Sequence, residues 1–100
     1  MALFAVLRKR GPAWDHSRSL EQQDGWQEHA AFMDSLVDQG FVVLGGPLDD
    51  GRPLLIINAD GLDAIEERLA RDPWFPMGLL VPGDAHRWQI RLGKLIDEGT

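Results

Sequence analysis

The sequence predicts a small α+β fold in which strands and helices follow one another in the order β-α-β-β-α-β. Three observations predict it: short apolar runs of strand length recur along the chain, two amphipathic helical segments separate them, and one turn sequence joins the middle two runs. A chain of 100 residues buries roughly 60 to 65% of its unfolded surface, which is enough for one core and too little for two. We therefore expect one domain over residues 1–100.

The composition excludes several classes of function. Ten Lys plus Arg against sixteen Asp plus Glu give a net charge of −6, which argues against a nucleic-acid partner because phosphate binding needs clustered basic side chains. The absence of Cys excludes thiolate zinc sites, iron–sulfur clusters and Cys nucleophiles. The apolar run at residues 2–7 is far shorter than the roughly 20 residues of a membrane span, and its positive charges follow it instead of preceding it. We expect no membrane partner and a cytoplasmic location.

The first strand is predicted at Ala2–Leu7, where an uninterrupted apolar run stops at a basic run. Residues 11–24 have no usable periodicity and predict a long loop, and loops of this length in small domains are often functional.

The first helix is predicted from Gly25 to about Gly40. Asp24, followed three residues later by Gln27, resembles a capping box, and glycine is common where a helix ends. The apolar residues of the segment share one face, which we expect to point inward: Trp26, Ala30, Met33, Leu36 and Val37.

The middle of the chain predicts a β-hairpin and a second helix. The apolar runs Phe41–Gly45 and Leu54–Ile57 flank the turn sequence Asp49-Asp50-Gly51. Asp60 is the expected N-cap of the helix, and Pro73 ends it because the residue before a proline disfavours the helical conformation. Its expected inward residues are Leu62, Ile65 and Leu69.

The last strand is predicted at residues 86–92, where apolar or aromatic side chains alternate with polar ones. The complete order is that of the ferredoxin-like fold, a four-stranded antiparallel sheet with two helices on one face. The first three strands are apolar at successive positions, so the face that the helices leave open should also be buried. We expect a second copy of the chain to cover it, which makes a homodimer through sheet-to-sheet contact.

Two polar residues do not fit the pattern around them. His29 falls on the inward face of the first helix, and Asp72 follows the second helix, where the helix dipole disfavours a carboxylate. One interpretation is a His29–Asp72 dyad, in which the carboxylate orients an imidazole that accepts a proton near neutral pH. The alternatives are a core histidine bonded to a backbone carbonyl and an Asp-Pro turn residue paired with Arg68 or Arg71.

Four motifs in this order resemble the YciI-like (YCII-related) family: Trp26-Gln27-Glu28-His29-Ala30-Ala31-Phe32-Met33, then Gly40, then Gly45-Gly46-Pro47-Leu48, then Arg71-Asp72-Pro73-Trp74. The resemblance covers nearly the whole chain. It implies a dimeric α+β-barrel with catalytic His29 and Asp72, and with Gly46 and Pro47 on an adjacent wall of the active site. It also implies small-molecule chemistry of an elimination or hydrolytic type without an obligatory organic cofactor. Many members have an arginine three residues before the histidine, where this chain has Trp26.

Further candidates for the pocket are aromatic and histidine side chains. Trp14 and Trp74 neighbour the long loop and Asp72, so we expect both to bind substrate, with the core as the alternative location. His16 is expected to reach the same pocket from the loop. The three histidines lack the closely spaced pair of ligands typical of a metal site, so we expect no metal, and we expect no cofactor.

The sequence therefore predicts a small-molecule enzyme in which His29 is the general acid or base and Asp72 orients it. The alternative is a non-catalytic dimeric module that binds a small ligand or a partner protein in the same pocket.

Overall fold

A computed structural model of the chain describes residues 2–93. The sheet comprises β1 (Ala2–Arg10), β2 (Val42–Pro47), β3 (Pro53–Ala59) and β4 (Leu80–Arg87), and the helices are α1 (Trp26–Asp38) and α2 (Leu62–Leu69). A short 3-10 turn at Leu20–Gln22 precedes α1. The predicted order β-α-β-β-α-β is confirmed.

Neighbouring strands of the sheet are antiparallel, in the order β2-β3-β1-β4. Both helices lie on one face of the sheet, because Leu36 of α1 and Ile65 of α2 share a core with alternate residues of the central strands, among them Val6 and Ile57. This is the ferredoxin-like α+β class that the sequence predicts.

The opposite face of the sheet is apolar and carries no helix among residues 2–93. Residues paired across neighbouring strands point to the same side of a sheet. Ala5 pairs with Ile56 and with His86 on this outer face. Leu44 and Trp88, which line the same shallow hollow, are 49% and 44% exposed. The apolar runs of the sequence therefore leave a hydrophobic surface on the side away from the helices.

The last strand begins earlier than predicted. β4 ends at Arg87 and overlaps the expected strand at residues 86–92 only at its final two positions. The prediction was wrong because Pro82 and Gly83 have the composition of a turn. In the structure Pro82 lies in an edge strand next to a register shift, a place where a proline can be tolerated because it need not donate to the sheet.

The predicted helix caps are also wrong by one residue. α1 is capped by Gly25 and not by Asp24, and α2 is capped by Gly61 and not by Asp60, with no side-chain cap bond at either helix. Gly25 has a φ of 76°, and a Cβ there would lie 3.3 Å from Nε1 of Trp74. The indole packs so closely against this turn that a glycine is favoured at the start of α1.

Two residues predicted to face inward are exposed. Val37 is 53% and Leu62 46% exposed, and Phe32, which is not among the predicted inward residues, packs against the core from α1. α2 ends at Leu69, before the proline that was expected to end it.

Within residues 2–93 no helix is long and apolar enough to cross a bilayer, and no group of three or more His, Asp or Glu side chains is arranged to hold a metal ion. The tail at residues 94–100, which carries no recognisable pattern, lies outside the described residues.

Candidate functional site

A cleft of about 380 Å³ opens between α1 and the sheet, at the end where β1 and β2 finish and β3 and β4 begin. Clefts of about 300 to 1,000 Å³ are typical of small-molecule sites. α1 contributes Trp26, His29 and Met33 to the wall, and β1 contributes Arg8 and Arg10. The cleft therefore combines apolar surface with a small number of polar and charged groups.

His29 and Asp72 meet in this cleft. Nδ1 of His29 lies 2.9 and 2.8 Å from the two carboxylate oxygens of Asp72, and the two residues are 9% and 5% exposed. An ionised carboxylate only accepts hydrogen bonds, so we infer that Nδ1 carries the proton. Nε2 is then the nitrogen that can exchange a proton with a ligand.

The turn that follows α2 positions Asp72. Its backbone N–H bonds back to the carbonyl of Leu69 at 3.1 Å, and its Oδ1 accepts the backbone N–H of Trp74 at 2.9 Å. A carboxylate that bonds the backbone two residues on is the usual way in which aspartate stabilises a turn. One side chain thus makes both the turn and the contact with His29. Arg71, one of the two alternative partners expected for Asp72, donates to the carboxylate of Glu67.

Trp74 fixes the plane of the imidazole. Its ring stacks on that of His29 with 3.9 Å between centroids and 5° between planes, and it is only 1% exposed. Its Nε1 donates to the backbone carbonyl of Asp24 at 2.7 Å. Trp14 lies edge-on to Trp74 at 5.5 Å and Trp26 is tilted against it at 6.0 Å. These three indoles, the tryptophan cluster, hold the histidine in a rigid aromatic setting.

Not all of the residues predicted to bind substrate line the cleft. Trp14, Gly46, Pro47 and Trp74 line the cleft. His16 is exposed and outside the lining, contrary to the expectation that it would reach the pocket.

The long loop at residues 11–24 is ordered by one buried amide, which explains the position of His16. Nε2 of Gln23 donates to the carbonyls of Asp15 at 2.8 Å and Arg18 at 3.2 Å, and Gln23 is 3% exposed. The hydroxyl of Ser17 and its backbone N–H both bond the carboxylate of Asp15, and these bonds hold the pKa of Asp15 below its usual value. His16 therefore sits on a closed turn that faces solvent.

Arg8 lines the cleft but is not among the site residues that the sequence predicts. It is 4% exposed, its Nη1 lies 3.5 Å from Oε1 of Glu66, and that nitrogen has no hydrogen-bond partner among residues 2–93. Burial lowers the pKa of the Arg8 guanidinium, and the charges of Glu66 and Asp72 oppose this shift. Phe4 and Val6 are the buried residues at the two preceding alternate positions of β1, so strand periodicity carried past Leu7 would have placed Arg8 inward.

The fold and the site together define a ferredoxin-like α+β protein with a buried histidine–carboxylate contact beside a cleft of ligand size. No protein-family model matches the chain, and no curated protein matches it by sequence. The chain is similar to a solved structure of 5-chloro-2-hydroxyhydroquinone dehydrochlorinase (TftG) from Burkholderia phenoliruptrix AC1100, in complex with 2,5-dihydroxybenzoquinone. The two share 26% identity at a TM-score of 0.65, over 87% of this chain and 93% of that chain. The similarity supports the fold class, and the similar protein is a small-molecule enzyme.

Proposed function

We propose that this protein is a small-molecule enzyme of the elimination or hydrolytic type, in which His29 is the general acid or base and Asp72 orients it. The observation that supports this proposal is the approach of Nδ1 to both oxygens of a buried carboxylate, beside a cleft large enough for a small organic molecule. The YciI-like resemblance of the sequence points to the same two residues.

Elimination is the reaction that we favour. Nε2 of His29 takes a proton from a hydroxyl or carbon of the substrate, the electron pair left behind forms the new double bond, and the leaving group departs with the electrons of its own bond. The imidazolium that results is stabilised by Asp72 at 2.8 Å and can return the proton to the leaving group. The dehydrochlorinase activity of the similar protein favours elimination over hydrolysis.

Chloride release tests this proposal. The purified protein is incubated without oxygen with 5-chloro-2-hydroxyhydroquinone, the compound named for the similar enzyme, and with chlorohydroquinone and a chlorocatechol. We expect release of chloride from at least one of them above the rate without protein, together with the absorbance of a quinone product. No release from any of the three would contradict the elimination hypothesis.

The alternative function is a non-catalytic module that binds a small ligand. The partly exposed ring of Trp26 in the cleft wall favours it, because an indole ring can bind a flat apolar molecule without proton transfer. The two hypotheses differ in what they require of Asp72, since only catalysis depends on which nitrogen of His29 holds the proton.

Asp72→Asn is expected to change the protonated nitrogen of His29. At alkaline pH, where imidazoles are neutral, the ¹⁵N signals of wild-type His29 should report a proton on Nδ1 and none on Nε2. The amide of Asn can donate to Nδ1, so the variant should move the balance towards a proton on Nε2. Asp34→Asn, which changes another carboxylate of the cleft wall, is the control and should leave the signals unchanged. Identical His29 signals in wild type and Asp72→Asn would contradict the orienting role.

We also propose that two copies associate through the outer face of the sheet. Such a contact would bury on the order of 1,200 Å² or more in total. Light scattering at micromolar concentration should give the mass of a dimer for the wild type and of a monomer for Leu44→Lys, which puts a charge on that face. Leu62→Lys alters a leucine of α2 with a similar exposed fraction, 46% against 49%, and should remain dimeric. A monomeric wild-type protein would contradict the proposal.

A further inference from the structure

We propose that Arg8 binds a negatively charged oxygen of the ligand in this cleft, and that the ligand is a small planar anion, an aromatic ring that carries an ionised oxygen. The inference deepens the proposed function, because it names the substrate class of the same site, and it rests on that function only for the chemistry that follows binding.

The first argument is the state of the guanidinium itself. Buried arginines are normally paired and hydrogen-bonded, because an unsatisfied charged donor in the interior costs several kcal/mol in general. Arg8 is 4% exposed, yet its Nη1 has no hydrogen-bond partner among the described residues, and the carboxylate of Glu66 stays 3.5 Å away. Arg8 also lines the cleft. A ligand with an anionic oxygen would satisfy the guanidinium from the cleft side.

The second argument is the distribution of charge. The chain has a net charge of −6, and the cleft is lined by two arginines, Arg8 and Arg10, and by two carboxylates, Asp34 and Asp72. The carboxylate of Asp72 is already engaged by His29 and by the backbone N–H of Trp74. The guanidinium of Arg10 is engaged as well, over the ring of Trp14 at 4.5 Å. Arg8 is therefore the buried cation of the cleft whose Nη1 has no hydrogen bond among the described residues, although Oε1 of Glu66 forms an ion pair with it at 3.5 Å.

The third argument is the shape of the walls. The ring of Trp26, which is partly exposed, lies beside the stacked rings of His29 and Trp74, which are 9% and 1% exposed. Gly45 and Gly46 line the cleft without side chains, so β2 presents bare backbone there. Flat walls of this kind suit a ring better than a branched or bulky molecule.

Binding of benzoate against benzamide, its neutral analogue of the same shape, tests the inference. Titrations are followed by calorimetry and by the fluorescence of the tryptophan cluster. We expect the wild type to bind benzoate about tenfold or more tightly than benzamide, and Arg8→Met to lose this preference, because a charge-assisted hydrogen bond is removed. Lys9→Met, which removes the neighbouring exposed cation, should keep the preference.

The melting temperature separates binding from a structural role. Arg8→Met removes the ion-pair partner of Glu66 as well as a donor without a hydrogen bond, so without ligand it should unfold at a somewhat lower temperature than the wild type. Benzoate should raise the melting temperature of the wild type and leave that of Arg8→Met unchanged, and an equal rise in both would assign Arg8 a structural role only. Equal affinities of the wild type for benzoate and benzamide, binding of neither compound, or a preference that survives in Arg8→Met would each overturn the inference.

The outcome is independent of catalysis. His29→Asn removes the proposed base but not Arg8, so it should still prefer benzoate. If chloride release fails while the Arg8-dependent preference is present, the proposed reaction is wrong and the ligand class stands. If chloride release depends on His29 while Arg8→Met keeps the preference, only the assignment of Arg8 is wrong.

Discussion

His29→Asn is expected to lower turnover by about 10²- to 10⁴-fold, the usual contribution of a positioned general acid or base. The amide nitrogen of Asn can occupy the position of Nδ1 and keep the bond to Asp72, which measures 2.8 Å in the wild type. Asn has no group at the position of Nε2 that takes up and returns a proton near neutral pH. The loss should fall on kcat with little change in KM, because the base acts in the transition state.

The control for this experiment is His16→Asn. His16 is exposed and lies outside the cleft, so its replacement should leave chloride release unchanged. Near-ultraviolet circular dichroism of the tryptophan cluster should be the same in both variants, which would show that the aromatic surroundings of position 29 have kept their packing. Turnover of His29→Asn within about threefold of the wild type, well short of the expected loss, would remove His29 from the mechanism and favour the binding module.

The candidate dyad residues could be identified from the sequence because each breaks a local rule. The period of α1 turns an imidazole towards the core, and Asp72 lies where the helix dipole disfavours a carboxylate. What the sequence does not contain is the distance between them, since the two residues are 43 positions apart and the fold brings them to 2.8 Å. The stacking of the His29 imidazole on the ring of Trp74 likewise depends on tertiary packing.

Arg8 and β4 were missed for related reasons. In the sequence, Arg8 begins a run of three basic residues, a pattern typical of an exposed segment. Only the continuation of β1 to Arg10 shows that its side chain points inward. Pro82 and Gly83 suggest a turn, and only the edge position of β4 makes a strand compatible with them. In both places the tertiary setting overrides the local pattern.

Gly11→Ala should cause the largest loss of stability, about 2 to 4 kcal/mol in the free energy of unfolding. A Cβ at position 11 would lie 2.1 Å from the backbone oxygen of Gly78, a distance that only a shift of the main chain can relieve. That shift would break the bonds from the N–H of Gly11 to the carbonyl of Leu79 at 2.8 Å and from the N–H of Ala13 to the carbonyl of Gly78 at 3.0 Å.

Gly61→Ala is the matched control. A Cβ at Gly61 meets no atom within 4 Å, and its φ of −176° is extended backbone that alanine adopts freely. Because Gly61 is the N-cap of α2, where alanine is less favourable than glycine, the unfolding free energy of Gly61→Ala in urea should fall by no more than about 1 kcal/mol. Equal stability of the two variants would mean that the segment around Gly78 moves aside at little cost.

The effect of Gly11→Ala should also reach the candidate site. The N–H of Leu79 donates to the carbonyl of Trp74 at 3.1 Å. A displacement of Gly78 and Leu79 should therefore also displace Trp74, which stacks against His29. We therefore expect the near-ultraviolet signal of the tryptophan cluster in Gly11→Ala to weaken at lower urea than the far-ultraviolet signal of the helices. Coincident transitions would show that the turn after α2 unfolds only with the whole domain, and the aromatic support of His29 would then be as stable as the core itself.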